Sequence, residues 1–172
     1  MAEELILVDE FDHAVGIAEK VTAHARGMLH RAFSAVVLNS RGQVLLQLRA
    51  PTKYHSGGLW SNTCCGHPRP GESVSGAARR RLWEEMGIDC HLEEIFVLRY
   101  QIELDSGMTE NEYDHVLLGQ GDDLSPSPDS EEVSDWKWCD LEDLWTDMSN
   151  SPEHYTSWFK ILAEEMKRRN VA

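Results

Sequence analysis

Five side chains of metal-ligand type are scattered along the first two-thirds of the chain: His24, His30, His67, Glu110 and Glu112. Three imidazoles and two carboxylates form a donor set suited to an octahedral borderline cation such as Mn2+, Zn2+ or Fe2+. Glu110 and Glu112 flank Asn111 at what reads as a strand entrance, where residues two apart project to one face. Cys65 and His67 share that spacing and face together if extended. Taken singly, each histidine or glutamate is more often a solvated surface group, and a lone cysteine is more often a small buried apolar side chain. Their proximity to a second feature changes that. Within Asn62–Ile88, a loop leads into a helix bearing Glu84 and Glu85. Carboxylates so placed can hold a hard divalent cation, which in turn holds a diphosphate.

The elements that must position these groups follow from pattern and punctuation. Glu72–Met86 reads as the best helix, with Ala77, Ala78, Leu82 and Trp83 as its apolar stripe and Gly87 at the position that ends it. Residues 5–8 read as a short strand, with a second short element around 14–22 and an irregular stretch from His24 to His30. Ala32–Asn39 and Gln43–Arg49 flank Ser40-Arg41-Gly42 as a hairpin, and 51–58 is a loop. Strands are expected at 95–104, 113–119 and 135–139, a surface loop at 124–134, a short helix at 141–145 and a terminal helix from Ser151 or Pro152 to about Arg168. Trp60 and Trp83 read as core. Mixed strands and helices imply an α/β (α+β) architecture, a mixed β-sheet sandwiched between helices.

Charge and length narrow the function. The 172 residues fit one domain, its core expected at about 28–162, with an N-terminal extension, 1–27, contributing to the active site. The net charge is −14, yet residues 20–81 hold ten of the sixteen Lys/Arg and one acid, Glu72, a local balance of +9. An acidic chain with one basic stretch suits a small anion and repels nucleic acid. No run approaches the ~18 apolar residues of a membrane span. The acidic start, MAEELILVDE, lacks the basic region of a signal peptide. Cys64, Cys65, Cys90 and Cys139 then read as reduced thiols in a cytoplasmic protein.

The stretch NTCCGHPRPGESVSGAARRRLWEEMGI resembles the box of the Nudix superfamily: Gly66, Glu72, Arg80, Leu82, Glu84, Glu85 and Gly87 fall at matching positions. One position departs. Where the hydrolases carry a Glu directly after the arginine, this chain has Arg81. A cation there cripples two-metal hydrolysis and suits gripping a diphosphate without cleaving it.

AEKVTAHARGMLHRAF, LRAPTKYHSGGLWSNTCCGHP and TENEYDHV, together with that helix, resemble the type 1 isopentenyl-diphosphate delta-isomerase family. The likeness runs from about Lys20 to Trp158. It implies a Nudix fold and interconversion of isopentenyl and dimethylallyl diphosphates, a step of isoprenoid biosynthesis. It also implies a Mn2+ or Zn2+ site at His24, His30, His67, Glu110 and Glu112, and Mg2+ with the substrate diphosphate at Glu85 and the Cys65 carbonyl. By the same resemblance Cys65 and Glu112 are catalytic and Tyr100 is the active-site tyrosine. Lys20, Arg49, Lys53 and Arg81 bind the diphosphate, and Trp158 lies beside the hydrocarbon. The expected enzyme is a monomer or weak homodimer taking a small isoprenoid diphosphate.

The chemistry asks for such groups. An unactivated alkene needs a positioned acid, and the tertiary cation that forms is stabilised by an aromatic face such as Trp158. A base then removes a proton on the other side; Cys65 and Glu112 are the candidates for the two roles, with relay through Tyr100 as a route for the Glu112 proton, and which protonates and which deprotonates stays open. Two other readings compete: a Nudix diphosphohydrolase acting on nucleoside diphosphate derivatives, and a non-catalytic metal-binding module.

Overall fold

The computed structural model describes residues 3–104 and 107–171; residues 1 and 2 of the expected N-terminal extension lie outside them. Among the described residues the chain order begins β1 (Glu4–Val8), β2 (Ala14–Glu19), α1 (Lys20–Ala25), β3 (His30–Leu38), β4 (Gln43–Arg49), β5 (Trp60–Ser61), β6 (Cys64–Gly66) and α2 (Val74–Met86). It continues with β7 (Leu92–Glu103), β8 (Thr109–Gln120), β9 (Val133–Asp140), α3 (Leu141–Asn150), a 3-10 turn at Pro152–His154 and α4 (Ser157–Arg169).

β3 is the hub of one mixed sheet. It runs parallel to β8 in register from His30↔Glu112 to Leu38↔Gln120, and antiparallel to β6 with Ser34 opposite Cys65. β7 pairs antiparallel along β8, and β9 along β4. A strand flanked on both edges and covered on both faces is expected to be nearly continuously apolar, and Ala32–Leu38, apolar but for Ser34, is buried along its whole length. Alternate residues divide between two cores: Phe33, Ala35 and Val37 pack with Ala77, Ala78, Leu82 and Met86 of α2. Val36 and Leu38 pack with Phe159, Leu162 and Met166 of α4. The sheet is thus sandwiched between α2 on one face and α3 with α4 on the other.

Several expected elements take a different form. The segment read as irregular from His24 contains the end of a real helix, α1, one and a half turns closed where the Met28 N–H donates to the Ala23 carbonyl. β7 and β8 begin three and four residues before their expected starts, where cross-strand pairing carries them past their apolar runs, and α3 continues to Asn150. Trp83 is not core. It is 64% exposed, since Ala77, Ala78, Leu82, Glu85 and Met86 already complete the inward face of α2. Trp60 is half-buried, with Lys137 Nζ 4.3 Å from its ring centroid.

α2 is sharply bounded. The Ser73 hydroxyl accepts the Gly76 N–H at 3.1 Å, and Glu72 receives Arg80 in two bonds of 2.7 and 2.8 Å that tie the preceding loop to the helix. At the other end Gly87 adopts φ +65°, the left-handed geometry that closes a helix. The Ser127 N–H donates to the Met86 carbonyl beside it. A Cβ on residue 87 would lie 2.5 Å from the Ser127 carbonyl oxygen, a backbone atom. Gly87→Ala combines left-handed strain of ~1–2 kcal/mol with that clash, so urea titration should show a loss of about 2 kcal/mol or more.

Candidate active site

The register of β3 brings the chemistry together. Glu110 and Glu112 point to one face of β8, and Glu112 lies directly beside His30 on β3. On the opposite edge of β3, β6 presents Cys65, with His67 one residue past its end. α1 supplies Lys20 and His24. Between the two glutamates, Asn111 Nδ2 donates to the Gly27 carbonyl at 2.8 Å, which fastens the turn after α1 to β8.

The ligand atoms of His24, His30, His67, Glu110 and Glu112 all lie within 4.8 Å of one another, and all five residues are buried. The hydrogen bonding shows why this cluster wants a cation. His24 Nδ1 lies 2.7 Å from the Lys20 carbonyl and His30 Nδ1 lies 2.8 Å from the Met28 carbonyl, so both rings must donate from Nδ1. As neutral imidazoles they then turn bare Nε2 lone pairs toward carboxylate oxygens: 3.0 Å from His24 to Glu110 and 3.6 Å from His30 to Glu112. Lone pair faces lone pair unless a proton or metal stands between them. His30 Nε2 and His67 Nδ1 are buried without a hydrogen-bond partner. The donor set fits a divalent ion of the borderline class.

Electrostatics agree with the geometry. Burial works to lower the His24 pKa, but the hydrogen bond and charge of Glu110 hold it above its ordinary value. Burial pushes His67 well down, helped by His30. Burial alone would raise Glu112; the nearby His30 ring and the hydrogen bond from the Tyr100 hydroxyl hold it low, so it stays ionised. Tyr100, its cross-strand neighbour, donates to Glu112 Oε2 and is itself pushed well above its normal range by burial and that carboxylate.

Cys65 and Glu112 line one cleft. Burial pushes the Cys65 thiol up to about 12, with Arg49 working the other way, so the sulfur is protonated at neutral pH. Trp158 closes the apolar end. Its Nε1 donates to the Ser61 hydroxyl at 3.1 Å, and the Arg49 guanidinium sits 5.2 Å from its ring centroid. Lys20, Arg49, Lys53 and Arg81 also line the cleft. Glu85 is buried there, receiving Gln47 Nε2 at 2.9 Å and Arg81 Nη2 at 2.5 Å. Arg81 reaches Glu84 as well, at 2.8 Å, so the carboxylates that would cluster metals in a hydrolase are here partly neutralised by a guanidinium.

All thirteen residues singled out by the sequence reading therefore gather at one place. Sequence reasoning missed others. His55 packs edge-on against Trp158 with ring centroids 5.6 Å apart, and its Nε2 lies 3.6 Å from Glu110. Burial and Arg49 depress its pKa to about 4, so it is neutral. Buried Asp114 follows Glu112 on the same face of β8 and accepts the Ser34 hydroxyl at 2.8 Å. Glu3 and Glu132 line the cleft or its mouth. Only Asp114 had a visible signal, the two-residue spacing that continues the Glu110–Glu112 pattern.

Residues 28–159 match the NUDIX domain. A protein from Aromatoleum aromaticum named Isopentenyl-diphosphate Delta-isomerase 2 is 52% identical over 166 residues, covering 96% of this chain and 87% of that one. An Isopentenyl-diphosphate Delta-isomerase from Pectobacterium atrosepticum is 49% identical over 158 residues, covering 92% and 88%. This chain belongs to the Nudix family, in its isopentenyl-diphosphate delta-isomerase branch. Among solved structures, Deinococcus radiodurans DR0079 superposes with a TM-score of 0.78 at 22% identity, covering 96% of this chain and 98% of that one. A MutT NUDIX hydrolase from Burkholderia pseudomallei gives 0.63 at 22%, covering 79% and 96%. These two likenesses concern the fold.

A filled His/Glu cluster should stabilise the folded chain. Adding Mn2+ or Zn2+ to metal-stripped protein at a hundred times its Kd is expected to contribute ~2.7 kcal/mol, read as a rise in Tm, and His24→Ala should abolish most of that rise.

Proposed function

We propose that this chain interconverts isopentenyl and dimethylallyl diphosphates by adding a proton to one carbon of the substrate and removing one from another. The observation that carries this reading is the pairing across β3: Cys65 enters the cleft from one edge, and Glu112 with Tyr100 from the other. Those are the two proton-handling groups an allylic shift requires.

The bookkeeping of atoms is simple. One group gives a proton to the terminal methylene carbon, leaving positive charge on the tertiary carbon. The other takes a proton from the carbon next to the one bearing the diphosphate, and the double bond moves over. Nothing is oxidised or reduced overall. Before the reaction Cys65 and Tyr100 hold their protons and Glu112 is ionised, so one side of the cleft begins as acid and the other as base. Lys20, Arg49, Lys53 and Arg81 hold the anionic head, and Trp158 walls the hydrocarbon and keeps water from the cation.

His24, His30, His67, Glu110 and Glu112 would hold Mn2+ or Zn2+, and Glu85 with the Cys65 carbonyl would hold Mg2+ against the diphosphate. When bound, these ions supply fixed positive charge that keeps Glu112 ionised and offsets the charge of the head. Every group named lies on one chain, as a monomer or weak homodimer allows; a cytoplasmic location is part of the same proposal and rests on the four free cysteines. Among the described residues no helix is long and apolar enough to cross a membrane.

Incubation with isopentenyl diphosphate and Mg2+ in deuterated water should place deuterium in dimethylallyl diphosphate; unlabelled product would rule out proton exchange as the route. Cys65→Ala and Glu112→Gln should each lower turnover by about 10²–10⁴-fold with the fold intact by circular dichroism. Either variant keeping more than about a tenth of wild-type turnover would take that residue out of the mechanism. Rapid phosphate-bond cleavage of nucleoside diphosphate sugars would favour the hydrolase instead.

A further inference from the structure

Two of the cations at the cleft mouth are already joined by a carboxylate that the chemistry above leaves idle. Lys53 lies in the turn after β4 and Arg81 on α2, two segments separate in sequence. Glu132 stands between them. One of its carboxylate oxygens is ion-paired with Lys53 Nζ, and the other lies 3.4 Å from Arg81 Nη2. Two oxygens on one anionic centre, each taking one cation, reproduce the way a phosphoryl group bridges two basic side chains.

Glu132 is not a drifting surface residue. Its N–H donates to the Asp129 carbonyl at 3.0 Å and its carbonyl accepts the Ala50 N–H at 2.8 Å. The strand that follows is bulged: the pairing of β9 with β4 steps from Asp135↔Leu48 to Val133↔Arg49, passing over Ser134. Bulges next to sites re-aim side chains, and this one lies two residues from Glu132 and opposite Arg49. The carboxylate is three-quarters covered. Burial alone would raise its pKa, and Lys53 and Arg81 overcome that and keep it ionised. At the same mouth a second carboxylate, Glu3, holds a single cation, Lys20, at 2.8 Å.

We propose that Glu132 is an internal placeholder for the substrate's diphosphate, tying Lys53 to Arg81 in the free enzyme and yielding both to the incoming head. It is a positioning residue that sets affinity and touches none of the reacting atoms. The assignment rests on the reading of Lys53 and Arg81 as diphosphate ligands. Two effects of its charge act in one direction: it competes for the cations before binding and repels the diphosphate afterwards. A neutral side chain of the same shape therefore binds the anion more tightly, whereas loss of a purely structural tie would loosen the cations and weaken binding.

The test uses the full chain with Mg2+ and inorganic pyrophosphate in titration calorimetry, alongside kcat and KM for isopentenyl diphosphate. Glu132→Gln should lower the pyrophosphate Kd and the KM by about fivefold without raising kcat. Glu132→Asp should return both toward wild type. Glu132→Ala serves as a second neutral variant with the same expectation if the glutamine protein folds poorly. In a Lys53→Met background Glu132→Gln should give a clearly smaller gain, since one of its two cations is gone. A Kd unchanged within twofold, a Kd raised by the neutral variants, or wild-type protein that binds no pyrophosphate would overturn the placeholder. Because binding is read without turnover, a chain that tightens on pyrophosphate yet fails to isomerise keeps the placeholder and sinks the isomerase reading. One that isomerises with unchanged affinity does the reverse.

Discussion

Two carboxylates, Glu110 and Glu112, are buried side by side on β8, and most of the site is arranged around compensating them. An uncompensated buried carboxylate costs several kcal/mol, and two on one face repel as well. Each charge-assisted hydrogen bond returns only about 1.5–3 kcal/mol, so one partner apiece would not suffice. His24, His30, His67, His55 and the Tyr100 hydroxyl all turn toward this pair. The convergence is enforced by β3, whose parallel register with β8 puts His30 beside Glu112, while its antiparallel pairing with β6 delivers Cys65 and His67. Slipping either register by one residue would turn a buried carboxylate or the Cys65 thiol to the other face of the sheet.

The same frame explains how a Nudix fold comes to hold a diphosphate without being built to cut it. The box still does its structural work: Glu72 with Arg80 ties loop to helix, and Gly87 closes α2 against Ser127. What differs is Arg81. Its guanidinium lies among Glu84, Glu85 and Glu132, where a hydrolase gathers negative charge for its metals. One change of sign leaves scaffold and anion-facing loop in place while weakening the conditions for two-metal hydrolysis.

The fold was largely legible in the sequence, the site only in pieces. The α2 helix declared itself through its stripe and its terminal glycine, and the common face of Glu110 and Glu112 through the two-residue period. Trp83 was misread because it stands next to Leu82 in the chain, yet consecutive helical residues point about 100° apart, and the five inward residues of α2 leave no room for a sixth. The assembly of His24, His30 and His67 with carboxylates from 45 to 86 positions away in their closest pairings depends on which strands flank β3, and no local period encodes that; family resemblance supplied it. His55 and Glu132 lie in segments without periodicity, and their roles come from a turn and a bulge that place them over the cleft. In Glu132 a residue from an acid-rich surface loop became part of the mouth.

The charge of the head sets a limit on what these cations can do. Isopentenyl and dimethylallyl diphosphates carry the same head, so a grip on it is equally strong in substrate, transition state and product. Binding of that uniform kind positions the molecule but does not by itself lower the barrier of the chemical step. Too strong a grip would only slow release. On the proposed assignment, the acceleration comes from groups facing the hydrocarbon, where positive charge appears and vanishes within a single turnover: Glu112, Tyr100, Cys65 and the Trp158 face. A chain of net charge −14 that confines its basic residues largely to one stretch can draw in a small anion without closing on it irreversibly. A carboxylate waiting between the two cations tempers that grip further, leaving the proton-handling groups to decide the rate.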